Sequence, residues 1–509
     1  MSDTRGAPTA ALLSGGPAKT AANFDRDYAI RIMAILAGLV MIVMYIEGML
    51  TPSLPSIAAT YHVSIAQVSL VLSAYLVTGV ALSPIAGKLG DIYGKKRVLT
   101  VVLIIYSAAV SVTGFSPTFE FMVASRAVQG VGLTVFPLAM ALVREEFPRD
   151  MVPRAQGILS GLFAAGFAIS LPLGAWVSNG YGWQYTYHTA IPFVIAITIA
   201  AFIFLRESPF RRPEVRIDYV GAGLLASSLA LFVFALAEGP TWGWSSAGVV
   251  GMAVVGAILL IPLVYLELRR HRREADVILD FRLLAKRNVL VTNVIGIVSG
   301  FGMFLAFQAI TFRLETPVPY GFGQDIFHIG LSFLAFAIPM LIIAPVASLF
   351  VTRAGTKPLT VLGCLIAALG FGLATQATNL TWLLGSMVVM GAGMAVTNAA
   401  VINLLILTVD PRDMGIGTSM NAAFRNIGSS VGAPLAGSLM TTFTVSTILG
   451  PLPSTTAFNA AYLIAASMFV VAAVVATFGR EVLGRRAVGE ARGRSETMPV
   501  APVAAAESV

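Results

Sequence analysis

Apolar residues run along this chain in long blocks rather than in alternation, the pattern of buried helices and not of half-exposed strands. A helix needs about 20 apolar residues to cross the hydrocarbon of a bilayer. Fourteen blocks reach roughly that length: Ile30–Leu50, Ile65–Ala86, Val98–Phe115, Phe119–Val143, Ala155–Val177, Tyr187–Leu205, Tyr219–Ala237, Ala247–Leu268, Val289–Phe312, Ile326–Val351, Leu359–Gln376, Leu380–Val409, Gly415–Phe443 and Asn459–Phe478. Pro137, Pro172 and Pro339 lie inside them, and neighbouring helices can satisfy the backbone groups that proline frees.

The polar stretches between the blocks are sorted by charge. Alternate loops hold Lys88, Lys95, Lys96 and Arg97, then Arg144, Arg149 and Arg154, then Arg206, Arg211, Arg212 and Arg216, then Arg269, Arg270, Arg272 and Arg273. With the tails and the later loops of the same side, these account for all but three of the 33 basic residues. Arg313 falls on the other side, and Arg126 and Arg425 fall within spans. Basic loops stay in the cytoplasm, so both termini are expected there, with the chain a multi-pass protein of the cell (inner or plasma) membrane. The opposite loops carry Tyr181, Trp183, Tyr185, Trp242 and Trp244, an interfacial aromatic belt.

Composition narrows the function classes. Hydrophobic residues make up 57% of the chain and charged residues 11%, against about 25% in soluble domains. The net charge of +8 is topological, so no nucleic-acid partner is expected. The single Cys364 excludes a disulfide framework, and His62, His188, His271 and His328 are too scattered for a metal site. No G-x-x-x-x-G-K-[ST] loop is present, so ATP-driven transport is not expected. The spans offer no paired carboxylates and no histidine-based dyad, which speaks against an enzyme, and no cofactor is implied.

The blocks group as six, two and six. The expected organisation is a cytoplasmic N-terminal tail (1–27), a six-helix bundle (28–206), a middle section (207–287), a second six-helix bundle (288–480) and a cytoplasmic C-terminal tail (481–509). The middle section holds a charged linker, two extra spans and an amphipathic run, Val277, Ile278, Phe281, Leu283 and Leu284. The fold class is thus an all-α polytopic membrane protein of two six-helix bundles with two extra central transmembrane helices. A faint repeat relates the halves: Gly87 to Lys95 follows the second span, and Ser348 to Lys357 follows the second span of the last six. Transporters built from such repeats bind their solute where the repeats meet.

The loop Gly87-Lys88-Leu89-Gly90-Asp91-Ile92-Tyr93-Gly94-Lys95-Lys96-Arg97 matches the pattern G-x-L-[GA]-D-x-x-G-[RK]-[RK]-[RK] at every defined position. Arg126 to Gly132 matches R-x-x-Q-G-x-G. Gly166 to Ala175 is similar to an antiporter motif of the fifth span, although its usual Gly-Pro pair is Leu171-Pro172. With these residues the chain resembles the major facilitator superfamily over about residues 28 to 480, and within it the fourteen-span drug:proton antiporters. The resemblance implies a secondary transporter that exports lipophilic compounds, cations among them, in exchange for protons by alternating access. Its partners would be such a solute, protons and membrane lipids, and it would act as a monomer. A lipid or small amphipathic metabolite is the alternative cargo, and a non-transporting membrane sensor a third reading. The first span departs from the family. The usual carboxylate position, nine residues before Pro55, is Ile46, and the acid is Glu47, about 100° further round the helix.

Glu120 and Glu267 each stand one residue from a block end, which leaves Glu47 as the one acid of 25 further inside a span. Burial there costs about 3 kcal/mol or more, so Glu47 must face a cavity or a partner. Desolvation favours its neutral form and a nearby cation its charged form, the balance that proton coupling needs. Arg126 lies at a similar depth and is the expected partner. Arg425 sits near the midplane, about 16 Å along its span, and needs an acceptor: a solute anion, Glu47, or the side-chain carbonyls of Asn421 and Asn398. The solute cavity is expected to be mostly apolar, drawn from Tyr45, Met49, Tyr75, Gln129, Phe136, Phe163, Asn293, Phe304, Gln308, Asn398 and Arg425. The resemblance assigns Gly87, Gly90, Asp91, Gly94 and Arg97 to a conformational latch. In it Asp91 would meet the first turn of the penultimate span near Gly415, where helix N–H groups lack partners.

Overall fold

The computed structural model describes residues 26–148, 151–207, 217–271, 281–409, 414–448 and 450–481. Residues 1–25 and 482–509 of the expected tails, the basic stretch 208–216, and Val277 and Ile278 of the expected amphipathic segment lie outside the described residues.

The apolar blocks fold as helices, several of them broken. α1 (Arg26–Gly48) passes through a 3-10 turn at Thr51–Ser53 into α2 (Leu54–Tyr61), and α3 (Ile65–Val68) leads into α4 (Leu70–Tyr93). α5 (Lys95–Thr113) follows. α6 (Phe119–Gln129) continues through a 3-10 turn, Gly130–Thr134, into α7 (Val135–Glu146), and α8 (Val152–Tyr181) and α9 (Gln184–Phe204) complete the first group. The central pair is α10 (Tyr219–Trp242) and α11 (Ala247–His271), followed by a single turn, α12 (Phe281–Leu284). The last group is α13 (Arg287–Glu315), α14 (Ile326–Ser332) with α15 (Leu334–Ala354), α16 (Thr356–Thr375), α17 (Leu380–Thr408), α18 (Met414–Thr442) and α19 (Thr455–Thr477). A small antiparallel hairpin, β1 (Thr444–Thr447) and β2 (Gly450–Pro453), joins the last two.

Thirteen of these segments are long and apolar enough to cross a bilayer. α18 has 29 residues, yet Asn421, Arg425, Asn426 and its many Gly and Ser residues keep its hydropathy too low to qualify. Its place explains this. It packs on α13 within its own half and on α3 and α4 of the other, so little of its surface is offered to lipid. α10 lies against α4 and α18 along the same seam, and α11 packs outside it.

Glycines set how closely the helices approach. A Cβ at Gly174 of α8 would lie 2.4 Å from the Met49 carbonyl oxygen. A Cβ at Gly428 of α18 would lie 2.0 Å from Ile297 O of α13, and one at Gly300 of α13 2.0 Å from Arg425 O. Close backbone contact of this kind is what holds helices together in a medium as apolar as their own side chains. Gly428→Ala should therefore force α13 and α18 apart, costing about 1–3 kcal/mol. Thermal unfolding of the purified protein should show the loss. Gly372→Ala is the control, because a Cβ there meets nothing within 4 Å and should leave the transition unmoved.

The faint repeat has a structural counterpart. Gly94 (φ +106°) and Gly355 (φ +89°) each turn the chain from one span into the next, a conformation that glycine adopts without strain. Each stands against a carboxylate from the end of its own half. Glu207 accepts from Lys96 N and Arg97 N, both at 3.1 Å, and Glu481 accepts from Thr356 N at 2.9 Å and Lys357 N at 3.0 Å. A carboxylate on free N–H groups at a positive helix terminus is a strong cap. Glu207→Ala leaves two such groups bare on α5 and should cost about 1 kcal/mol, read as a lowered midpoint of thermal unfolding.

The basic loop Lys95–Arg97 marks one end of the bundle, called here the basic end, and the opposite end is the far end. Both halves touch at the far end. Ala66 N donates to Thr441 Oγ1 at 3.2 Å, and Gln308 Nε2 donates to Ile65 O at 3.4 Å. A Cβ at Gly330 would lie 2.3 Å from Ala175 Cβ, and one at Gly437 2.6 Å from Ile65 O. Phe167 of α8 stacks on Phe307 of α13, centroids 5.7 Å apart, and Phe333 and Phe336 meet Phe307 edge-on. On the side of α18 between these contacts, exposure tapers. Thr418 and Ser419 are exposed, Ala422, Arg425 and Asn426 half-buried, and Ser429, Ser430 and Ala433 buried. A cleft between the halves thus opens toward the basic end and closes at the far end.

Candidate functional site

Four elements of the first half converge on one buried polar group. α1 brings Glu47 in its last turn, and α4 brings Tyr75 and the Val71 carbonyl. α6 brings Arg126 and Gln129, three residues apart and so on one face. α5 ends at Thr113. The helix breaks after Gln129 because Gly130 must lie against α4, where a Cβ would sit 2.4 Å from Tyr75 O.

Arg126 is wholly buried and Glu47 is 2% exposed. Arg126 Nη2 stands 3.5 Å from Glu47 Oε2. Its Nε donates to Val71 O at 3.0 Å and its Nη1 to Gln129 Oε1 at 2.8 Å, and Gln129 Nε2 donates to Thr113 Oγ1 at 2.6 Å. The Tyr75 ring lies 4.2 Å below the guanidinium, a cation–π contact. Tyr106 and Tyr187, also fully buried, complete the wall. Arg126 is thus held firmly, whereas neither Glu47 oxygen accepts a hydrogen bond. This buried carboxylate faces one cation and no fixed hydrogen-bond donor, so its charge depends on the position of Arg126.

The other expected site residues are dispersed. Phe136 and Phe163 form a half-buried pair with ring centroids 4.7 Å apart. Tyr45 and Asn398 are half-buried on α1 and α17. Met49 is packed beneath Gly174, Asn293 is buried with its amide on Val289 O, and Gln308 belongs to the far-end seam. Phe304 stands beside Phe307 at the closed end of the cleft. Arg425 does not reach Glu47, and the Asn421 amide donates instead to Thr292 O at 2.9 Å. Among the described residues Asp91 makes no bond to α18. Asp91 pairs with Lys95 Nζ at 2.8 Å, and Lys95 also reaches Glu145 at 2.6 Å, because the two halves meet at the opposite end in this state. Of the other expected latch residues, Gly94 and Arg97 flank Glu207, Gly90 packs near Leu138 and Lys95, and a Cβ at Gly87 would meet nothing. Arg313, the basic residue on the other side, donates to Ala374 O and Ala377 O and so closes the C-terminus of α16.

The first half thus holds a buried ion pair, and a cleft runs between two related helical halves. Residues 36–324 and 296–506 match the sequence profile of the Major Facilitator Superfamily. The chain belongs to that superfamily. An uncharacterized MFS-type transporter of Mycobacterium tuberculosis is 31% identical over 446 residues, covering 86% of this chain and 62% of its own length. The chain therefore spans less than two thirds of that relative. A probable actinorhodin transporter of Streptomyces coelicolor is 26% identical over 463 residues, 86% of this chain and 77% of the relative. The xylose transporter XylE from E. coli, in a partially occluded inward open conformation, shares the fold at a TM-score of 0.60 and 13% identity over 90% of this chain and 99% of its own. This facilitator is a multi-pass membrane protein.

Proposed function

We propose that this facilitator exports lipophilic compounds in exchange for protons, as a fourteen-span drug:proton antiporter with its basic end and both termini in the cytoplasm, in the cell membrane. The observation that carries the reading is Glu47: buried, 3.5 Å from Arg126, and without a hydrogen-bond donor on either oxygen. Such a group can gain a proton in one state of the carrier and lose it in another, when the cage opens to the other side. In this reading the cleft is inward-open here, and the Asp91 latch engages when the far end opens. The chain is expected to act as a monomer, with Glu47 and Arg126 coupling the proton and the cleft residues holding the solute.

Purified protein in proteoliposomes tests this. A pH gradient should drive a lipophilic dye across the membrane, and a protonophore should abolish the movement. Dye movement indifferent to the gradient would overturn the proposal.

One feature favours a second reading, in which the cargo is a lipid or a small amphipathic metabolite. A lateral apolar groove of about 480 Å³ lies between α8 and α15, lined by Ile169, Pro172, Trp176, Leu334, Ile338 and Leu341. It would offer an acyl chain a place at the junction of the halves. Lipid co-purifying in fixed stoichiometry would support that reading.

A further inference from the structure

Three arginines lie away from the basic end, and two are accounted for. Arg126 is bound by Val71 O, Gln129 and Glu47, and Arg313 by two carbonyls of α16 and its loop. Arg425 is different. It is half-buried, and among the described residues it has neither an ion pair nor a side-chain hydrogen bond.

Helical geometry gives its direction. At about 100° per residue, Asn421, Gly428 and Gly432 share the face of α18 that packs on α13. Gly437 and Thr441, about half a turn away, face Ile65 and Ala66 of the other half. Met420 and Phe424 occupy one side between these faces, packed with Leu283 and Leu405. Arg425 stands at the α13 edge of the other side, about 40° round from Asn421 with its backbone against Gly300, and Thr418 and Ala422 lie further round, where exposure tapers toward the far end. A stripe facing lipid would stay exposed along its whole length. This one closes, so it lines the cleft. Beyond Arg425 the cleft ends at Phe304, Phe307 and Phe167, one to two turns past Gly300.

We propose that Arg425 is the anchor for an organic oxyanion, a carboxylate, sulfate or sulfonate carried on an apolar body that packs beneath the Phe167–Phe307 cluster. The inference deepens the proposed function by narrowing its solutes to acidic amphiphiles. A guanidinium offers five donors in a planar fork that suits such a group. Among the described residues the only acid buried deep in the neighbouring half, Glu47, is already matched to Arg126, which leaves the charge of the cleft to Arg425. The same chemistry could come from a free solute or from an anionic lipid headgroup, and the test separates them.

Two steroids of one skeleton serve as probes, estrone 3-sulfate and uncharged estrone, with equilibrium binding measured on the purified full-length protein. Wild type should bind the sulfate at least tenfold more tightly than estrone. In Arg425→Gln that ratio should fall to near one, with estrone itself bound as before. Arg425→Lys should keep most of it. A ratio near one in wild type overturns the proposal without any variant. So does an undiminished ratio in a folded Arg425→Gln protein. Competition by phosphatidylglycerol, but not phosphatidylcholine, that is lost in Arg425→Gln would assign the anchor to a lipid, and its absence to a free solute. Equilibrium binding needs no gradient, so this ratio and the gradient-driven dye movement are scored in separate assays.

Discussion

Glu47→Gln is expected to uncouple this facilitator from the pH gradient while leaving it folded. The carboxamide keeps the shape of the side chain and an oxygen for Arg126 Nη2, now 3.5 Å away. It cannot take or release a proton. Gradient-driven transport should fall by at least tenfold, while the protein stays folded and solute binding changes little. Glu47→Ala should be the more damaging. Both variants remove the counter-ion of Arg126, but Ala also removes the oxygen that faces Nη2 and leaves a cavity, so its loss of stability should approach the about 3–5 kcal/mol that breaking a buried pair costs, while Gln should lose less. The pair of variants separates coupling from folding. Full gradient response in Glu47→Gln would remove Glu47 from the proposed mechanism, and the search for a coupling group would move to another acid.

The spans were legible because the hydrocarbon imposes one strong rule, a continuous apolar block, and the helices keep close to the blocks even where Thr51–Ser53 and Gly130–Thr134 break them. The breaks themselves were not legible. They answer to tertiary contacts, such as that of Gly130 with α4, which no local pattern records. The pairing of Glu47 with Arg126 could be expected from depth alone, since a membrane leaves an ion few partners. Glu207 and Glu481 were missed because each caps a helix more than a hundred residues away. The clue was present: both follow an arginine at the end of a half, and both face a glycine of the faint repeat. Asp91 fared differently. Its motif points to α18, but an expectation of that kind belongs to one conformation, and here the Lys95 ammonium four residues on takes its place.

Gly437→Val should trap the carrier with its far end open. The seam there depends on backbone contact. At Gly437 a Cβ would lie 2.6 Å from Ile65 O and 2.9 Å from Ala66 Cα, and backbone cannot step aside as a flexible side chain can. The added branches clash only when the halves are closed at this end, so the penalty falls on one state of a two-state equilibrium. Overpacking costs about 1–3 kcal/mol, and each 1.4 kcal/mol is about a tenfold shift in population. The far-end-closed state should thus become roughly ten to a hundred times rarer, and adding Gly330→Val, against Leu171 and Ala175, should deepen the effect. Cysteine reactivity reads the change. The single native Cys364 is buried, so a cysteine placed at exposed Ser419 reports on the mouth of the cleft with little background. Its reaction with a bulky maleimide should slow by at least tenfold in Gly437→Val, and transport should fall with it because a carrier held in one state cannot cycle. Unchanged reactivity in a stably folded variant would mean that the far-end seam is not what holds the cleft open at the basic end.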